Sequence, residues 1–360
     1  MNAPAPVTQA LLDDLRERLA RTRWVTPLAA DGGRLGVDRP FLQSLVTSWA
    51  DDYDWREHER RILDLPWVLT GAPETAVRAV HHRAGDDRAT VVLLHGWPDS
   101  ILRFDRALPL LTDVNVVVPA LPGFPFSAGP MRENSDAVAR QLDAMMTELG
   151  YDRFVVSGGD IGSGIAERWA SQHPDRVTAL HLTDIPYSHA FAVDTETLDE
   201  AETRYLASAN AWRATEGAYA LEQSTKPNTL SVGLGDSPAG LAAWIVEKLT
   251  SWTDSGGDVE SVFSTDELLT WLTAYWVTGS IGTSFAPYAA DNAPLTAKLD
   301  TPTVVSLFPK DLISAPRVFG ERFFDIVQWT EHPAGGHFGA WERPEWFVEG
   351  VRAALDAARP

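Results

Sequence analysis

An aspartate stands at the centre of the glycine-rich stretch VVSGGDIGSG, residues 155–164. The apolar run before Asp160 predicts a buried strand, and the residues after it predict a helix. A carboxylate at such a turn can attack a carbon atom and form an ester. The simpler alternative is that Asp160 only caps the helix. The sharp turn of a nucleophile is favoured because small residues flank the aspartate on both sides: Gly158, Gly159, Gly162 and Ser163.

A second loop could supply hydrogen-bond donors to the same site. The stretch LLHGWPDS, residues 93–100, follows another apolar run. In folds with a nucleophile turn, one oxyanion donor is the amide after the nucleophile, and the other comes from an earlier strand-to-helix loop. We therefore predict the backbone amides of Trp97 and Ile161 as the two donors. The alternative is that residues 93–100 form an ordinary loop.

A base and an acid follow later in the chain. The stretch GGHFGAWERP places His337 in a glycine-flanked loop, and FPKDLISAP places Asp311 after an apolar run. The order nucleophile, acid, histidine suits a catalytic triad. Asp184, which follows the strand after the nucleophile turn, is a less favoured candidate for the acid. For His337 the alternative is a loop histidine that only hydrogen-bonds to the backbone.

Short β-branched apolar runs alternate with helical segments over much of the chain. This alternation predicts a parallel sheet with crossover helices. It occupies residues 76–185 and 295–360, after a helical N-terminal extension over residues 1–75. Residues 186–294 interrupt it and predict a helical cap, in which EQSTKPNT and GLGDSPAG are expected to be loops.

Composition excludes several classes of function. The chain has 360 residues, of which 44% are hydrophobic, and its net charge of −20 disfavours nucleic acid and anionic membranes as partners. It contains no cysteine, which excludes disulfides and thiolate metal sites and makes a cytoplasmic location the expectation. The N-terminal stretch has neither the apolar core of a signal peptide nor a membrane span.

No cofactor or metal is predicted. Gly162 and Gly164 match the start of the dinucleotide-binding pattern GxGxxG, but Glu167 stands at its last position. Asp160 would also repel a pyrophosphate. The sequence lacks the HExxH pattern of metalloproteases.

Taken together, these motifs resemble the α/β-hydrolase-fold epoxide hydrolases of the microsomal and juvenile-hormone type. The resemblance covers nearly the whole chain, and the cap segment YALEQSTKPNTLSVGLGDSPAGLAAWIVEK is its most specific part. It implies a mostly parallel sheet flanked by helices, a helical cap before the penultimate core strand and an N-terminal extension. The membrane anchor of the microsomal enzymes is absent, so the implied relatives are soluble and bacterial. Pro125 replaces a glycine that is usual in the family.

The resemblance also implies roles for individual residues. Asp160 would open an epoxide by forming an ester, and a water activated by His337 would then release a vicinal diol. Two cap tyrosines, matching Tyr219 and Tyr288, would donate hydrogen bonds to the epoxide oxygen and bind substrate together with Trp97. Tyr205 and Tyr275 are the competing tyrosines, which pack in the core if they have no such role.

Other functions stay open at this point. A haloalkane dehalogenase uses a similar aspartate, but Ile161 offers no side-chain donor for a halide. A non-catalytic receptor or carrier could use the same scaffold. The implied partners are an epoxide and water. The 14 tryptophans and 14 phenylalanines fit a bulky apolar or aromatic epoxide, in detoxification or in tailoring of a secondary metabolite. The oligomeric state is open, a homodimer included.

Overall fold

The computed structural model describes residues 2–28, 35–129, 134–290 and 293–358. The predicted outer limits, residues 1 and 360, lie outside these ranges. Within them the chain forms one eight-stranded sheet of order β1-β2-β4-β3-β5-β6-β7-β8. The strands are β1 (Trp67–Thr70), β2 (Val77–His82), β3 (Thr90–Leu94), β4 (Asn115–Pro119), β5 (Phe154–Gly158), β6 (Val177–Leu182), β7 (Leu299–Leu307) and β8 (Phe324–Glu331).

Most of this sheet is parallel. β2 pairs antiparallel with β1 and β4, whereas the pairs from β4 through β8 are parallel. Every residue of β3, β4, β5 and β6 is buried, as expected for strands covered on both faces. The predicted α/β-hydrolase fold is confirmed.

Helices precede, separate and follow the strands along the chain. Three helices precede β1: α1 (Gln9–Ala20), α2 (Arg39–Asp51) and α3 (Trp55–Leu63). Each begins at an N-cap side chain that accepts a backbone N–H. In the chain, α4 (Ser135–Glu148) connects β4 to β5, and α5 (Ile161–Gln172) connects β5 to β6. The close packing of α5 against the sheet requires a glycine, because a Cβ at Gly162 would come within 2.5 Å of the Leu94 carbonyl oxygen.

A helical segment separates β6 from β7, the penultimate strand. Its helices are α6 (Glu200–Glu216), α7 (Ala218–Thr225), α8 (Pro227–Asp236), α9 (Pro238–Ser251), α10 (Thr265–Thr278) and α11 (Ala286–Ala289). The prediction of loops at EQSTKPNT and GLGDSPAG is wrong, since α7, α8 and α9 follow one another with single-residue breaks. Pro227 and Pro238 are each the first residue of a helix, where proline lacks only an N–H that would have no partner.

The N-terminal helices pack on this helical segment. Trp49 Nε1 donates to Thr273 Oγ1 at 2.9 Å, and the Tyr53 and Thr270 hydroxyls are 3.0 Å apart. Three helices complete the chain, α12 (Arg317–Gly320), α13 (Gly339–Glu342) and α14 (Pro344–Ala357). In the described part of the chain, no helix is long and apolar enough to cross a membrane. The division of the chain at residues 75, 185 and 294 stays a prediction.

Candidate active site

The turn between β5 and α5 holds Asp160 in an unusual conformation. Its φ of 57° and ψ of −128° lie where few residues other than glycine are found, which is typical of a strained functional position. Its side chain makes no capping hydrogen bond to α5, so the capping alternative does not describe this residue. Instead, Asp160 Oδ1 accepts the Trp97 N–H at 2.8 Å. A Cβ at Gly96 would collide with the same carboxylate, which explains the glycine beside Trp97.

The groups around the Asp160 carboxylate shift its pKa in opposite directions. Burial raises its pKa, because a charged carboxylate loses its hydration. The neighbouring His337 and the backbone amides of Trp97 and Ile161 act in the opposite direction. The two predicted amides thus both stabilise negative charge at this carboxylate, as donors of an oxyanion hole must.

His337 lies between two carboxylates. Its Nδ1 is 2.7 Å from Asp311 Oδ1, and its Nε2 is 3.7 Å from Asp160 Oδ2. Burial opposes protonation of the ring, but the two carboxylates outweigh it and raise the pKa of His337. Asp311 Oδ1 also accepts the backbone N–H of Leu312 at 2.7 Å and the hydroxyl of Tyr187 at 3.0 Å. Asp311 thereby orients the ring and leaves Nε2 facing the Asp160 carboxylate.

Asp184, the other candidate for the acid, contacts the turn that holds Asp160. One of its oxygens accepts the Asp160 N–H at 2.6 Å, and the other accepts the Ser163 hydroxyl at 2.6 Å. Burial, reinforced by the charge of Asp311, raises the pKa of Asp184 above its ordinary value. Both oxygens of Asp184 are therefore engaged in holding the strained turn, whereas Asp311 is the carboxylate bonded to His337.

The two predicted tyrosines lie edge to face in the cavity that Asp160 also lines. Tyr219 on α7 and Tyr288 on α11 have ring centroids 5.9 Å apart, and Trp97 stacks on Tyr219 at 5.3 Å. Burial is the main cause that raises the pKa of both hydroxyls above 10. The charge of Asp160 adds to this effect for Tyr219, and Tyr219 adds to it for Tyr288. Both hydroxyls are therefore protonated donors at neutral pH. The Tyr288 hydroxyl is buried and has no hydrogen-bond partner among the described residues.

The two competing tyrosines, Tyr205 and Tyr275, make contacts within the fold and lie outside the cavity at Asp160. Tyr275 donates its hydroxyl to the Asp99 carbonyl at 2.9 Å and so ties α10 to the loop of Trp97. Tyr205 packs its ring on Phe319, with ring centroids 4.8 Å apart. Neither lines the cavity at Asp160.

That cavity has a volume of about 270 Å³ and an apolar wall. Its lining includes both predicted tyrosines and Ile161, whereas Trp97, which was also predicted to bind substrate, is fully buried and does not line it. Sequence reasoning missed Tyr187, which lines the same cavity while bonding Asp311. A signal was present, because Tyr187 follows Asp184 closely after the end of β6. The other large side chains of the wall are Phe191, Trp212, Leu312 and Ile313.

Sequence reasoning also missed a buried ion pair beneath the site. Arg103 Nη1 lies 2.6 Å from Asp99 Oδ2, and Arg103 Nη2 donates to the His337 carbonyl at 2.6 Å. Burial opposes ionisation of Asp99, yet Arg103 and His95 keep its pKa below the ordinary value. The arginine thus joins the loop of Trp97 to the loop of His337. An arginine inside the apolar run ILRF was the available signal.

We expect Arg103→Met to lower the free energy of unfolding by about 3–5 kcal/mol, since removing one partner leaves the buried Asp99 charge uncompensated. Urea denaturation of the variant and the parent protein measures the difference. The matched control is Asp99→Asn/Arg103→Met, which removes both charges and should recover at least half of the loss. A loss below about 1 kcal/mol for Arg103→Met would contradict a structural role for the pair.

Comparison with known proteins agrees with this geometry. Residues 3–104 match the family model of the epoxide hydrolase N terminus, and residues 89–225 match that of the alpha/beta hydrolase fold. A Stigmatella aurantiaca protein named "Putative epoxide hydrolase" is 36% identical over 98% of this chain and 84% of its own length. Epoxide hydrolase 1 of Sus scrofa is 29% identical over 95% of this chain and 85% of its own length.

A solved structure shows the same relationship in three dimensions. Aspergillus niger epoxide hydrolase superposes with a TM-score of 0.85 at 28% identity, covering 99% of this chain and 95% of the other. The resemblance inferred from the motifs is thereby confirmed. Because this similarity extends over nearly the whole length of the chain, the chain belongs to the epoxide hydrolase family and is a hydrolase.

Proposed function

We propose that this protein opens an epoxide to a vicinal diol through an ester on Asp160. In the first half, Asp160 Oδ2 attacks an epoxide carbon and the C–O bond of the ring breaks. A carboxylate needs no base for this attack once it is ionised, unlike a serine hydroxyl. Tyr219 and Tyr288 donate hydrogen bonds to the opening oxygen, whose charge would be costly in an apolar cavity.

The second half hydrolyses the ester. His337 Nε2, held by Asp311, takes a proton from water, and the hydroxide attacks Cγ of Asp160. The amides of Trp97 and Ile161 stabilise the tetrahedral oxyanion, and one such donor is typically worth about 3 kcal/mol. On collapse Oδ2 takes the proton from His337 and departs in the diol, and the oxygen of water stays in the carboxyl group of Asp160. This group then releases its remaining proton, which replaces the one that the opened ring oxygen received.

The arrangement of the two Asp160 oxygens carries this proposal. Oδ1 is hydrogen-bonded to the Trp97 amide at 2.8 Å, whereas Oδ2 lies 3.7 Å from His337 Nε2. One oxygen is therefore placed to become the ester carbonyl. The other is placed to attack, next to the base that later activates water.

An isotope experiment tests the covalent route. In a single turnover in heavy-oxygen water, with enzyme in excess, we expect the label in the Asp160 carboxylate and unlabelled oxygen in the diol. Mass spectrometry of the peptide that contains residue 160 and of the diol measures both. Repeated turnovers should then move the label into the diol. Label in the diol alone during the first turnover would exclude the ester and favour direct attack by water.

The cavity supports an apolar or aromatic epoxide as substrate. Its wall is formed by aliphatic and aromatic side chains, and Asp160 is the charged group that lines it. Haloalkane dehalogenation is less well supported, because Ile161 has no N–H on its side chain for a halide.

A carrier function would give binding without diol formation from styrene oxide. The cytoplasmic location, the homodimer and the biological role stay predictions.

A further inference from the structure

A buried lysine lies behind the proposed ring-opening tyrosine. Lys248 is 6% exposed, and its Nζ lies over the Tyr219 ring, 4.9 Å from the ring centroid. It also lies 5.9 Å from the Trp252 ring centroid. The proposed mechanism gives this ammonium group no task, although burying a lysine is unfavourable without compensation.

The position of Lys248 on its helix makes the burial specific. The apolar face of α9 is formed by residues at helical spacing, among them Leu241 and Ile245, and Lys248 continues that face where an aliphatic residue is expected. Its one ion-pair partner among the described residues is Glu247, with Oε2 at 2.5 Å. The Glu247 side chain is 26% exposed, so the carboxylate lies nearer to solvent than the ammonium group, whose side chain is 8% exposed.

We propose that Lys248 is a positioning residue that assists Tyr219 as a hydrogen-bond donor during ring opening. As the epoxide oxygen gains charge, it draws the phenolic proton towards itself, and negative charge spreads from the phenol oxygen into the ring. A cation over the face of an aromatic ring is attracted to its π electrons, and more strongly as the ring becomes richer in electrons. Lys248 therefore stabilises the transition state more than the ground state, which accelerates the step.

The proposal rests on the role of Tyr219 in the proposed function, and it concerns only the first half-reaction. The ester hydrolysis uses His337 and the backbone amides and does not pass charge through Tyr219. The expected signature is a selective effect on ester formation. A general loss of packing around α9 would instead disturb both halves.

The test uses full-length protein and rapid-quench kinetics with styrene oxide, with mass spectrometry of the ester to separate the two halves. We expect Lys248→Met to slow ester formation about tenfold, because a desolvated cation–π contact is lost, and to change ester hydrolysis by less than about threefold. Lys248→Arg should keep most of the rate, since it preserves the charge. The matched control Glu247→Gln breaks the same ion pair but keeps the cation, and it should not slow ester formation.

A double-mutant cycle separates this proposal from the proposed function. In a Tyr219→Phe background, which lacks the phenolic proton, Lys248→Met should slow ester formation by no more than about twofold. If the full tenfold effect persists there, or if both half-reactions slow equally, the assignment of Lys248 is wrong. If Tyr219→Phe slows ester formation but Lys248→Met does not, only the Lys248 proposal fails. If Tyr219→Phe has no effect on ester formation, both the proposed role of Tyr219 and the Lys248 proposal that rests on it fail.

Folding of the variants is checked by thermal unfolding. Should Lys248→Met fold poorly because Glu247 is left without its partner, Glu247→Gln/Lys248→Met removes both charges and serves in its place. The same tenfold selective loss in that variant supports the proposal. Unchanged ester formation in it overturns the proposal.

Discussion

Replacing Asp160 with asparagine should lower diol formation by at least about 10⁴-fold, because the variant lacks the carboxylate that we propose as the nucleophile. An amide oxygen is a much weaker nucleophile than a carboxylate, and the Trp97 N–H that binds Oδ1 can still be satisfied by it. The fold should therefore be retained while the chemistry is lost. The measurement is the initial rate of diol release from styrene oxide, compared with the parent protein.

Two controls make the Asp160→Asn result interpretable. Intact mass must show that the amide persists, since an activated water nearby could hydrolyse it back to the acid. Asp184→Asn tests the neighbouring carboxylate, which accepts the Asp160 N–H and the Ser163 hydroxyl. We expect it to loosen the turn and reduce activity less severely than Asp160→Asn. Residual activity within tenfold of the parent in an intact Asp160→Asn protein would show that Asp160 is not the nucleophile.

Replacing His337 with glutamine should separate the two halves of the reaction. Asp160 can still form the ester, but water is no longer activated, so turnover should fall by about 10³-fold, within the range for loss of a general base. The ester should accumulate at one equivalent per protein. Intact mass spectrometry would detect it as an increase equal to the mass of one substrate molecule.

The ester accumulated by His337→Gln should be confined to residue 160. Peptide mapping locates it, and Asp160→Asn/His337→Gln should form none. Asp311→Asn is the related control, because it removes the carboxylate that lies 2.7 Å from His337 Nδ1. It should also accumulate ester, with a smaller loss of hydrolysis. If His337→Gln loses turnover without forming any ester, then His337 is needed before the covalent step and the proposed order is wrong.

Local signals in the sequence were sufficient for the fold and for part of the site. The alternation of apolar runs and helices predicted the mostly parallel sheet, since burial on both faces leaves a continuous apolar run. The small residues around Asp160 predicted a sharp turn, and the structure gives that residue a φ of 57°. The helix bounds between α7 and α9 were not predicted, because Pro227 and Pro238 begin helices within the two stretches that were expected to be loops.

The sequence by itself determined the elements on which the candidate site lies: a carboxylate after one strand, a predicted amide donor in an earlier loop and a histidine before the last helix. Only the tertiary structure decided which carboxylate contacts that histidine. Asp184 and Asp311 both follow parallel strands, so both reach the same edge of the sheet, and their side-chain directions depend on packing. The contacts of Arg103 with His337 and of Lys248 with Tyr219 depend on it too. Such contacts join segments whose separation is fixed by the packing of helices and loops, which no pattern of neighbouring residues specifies.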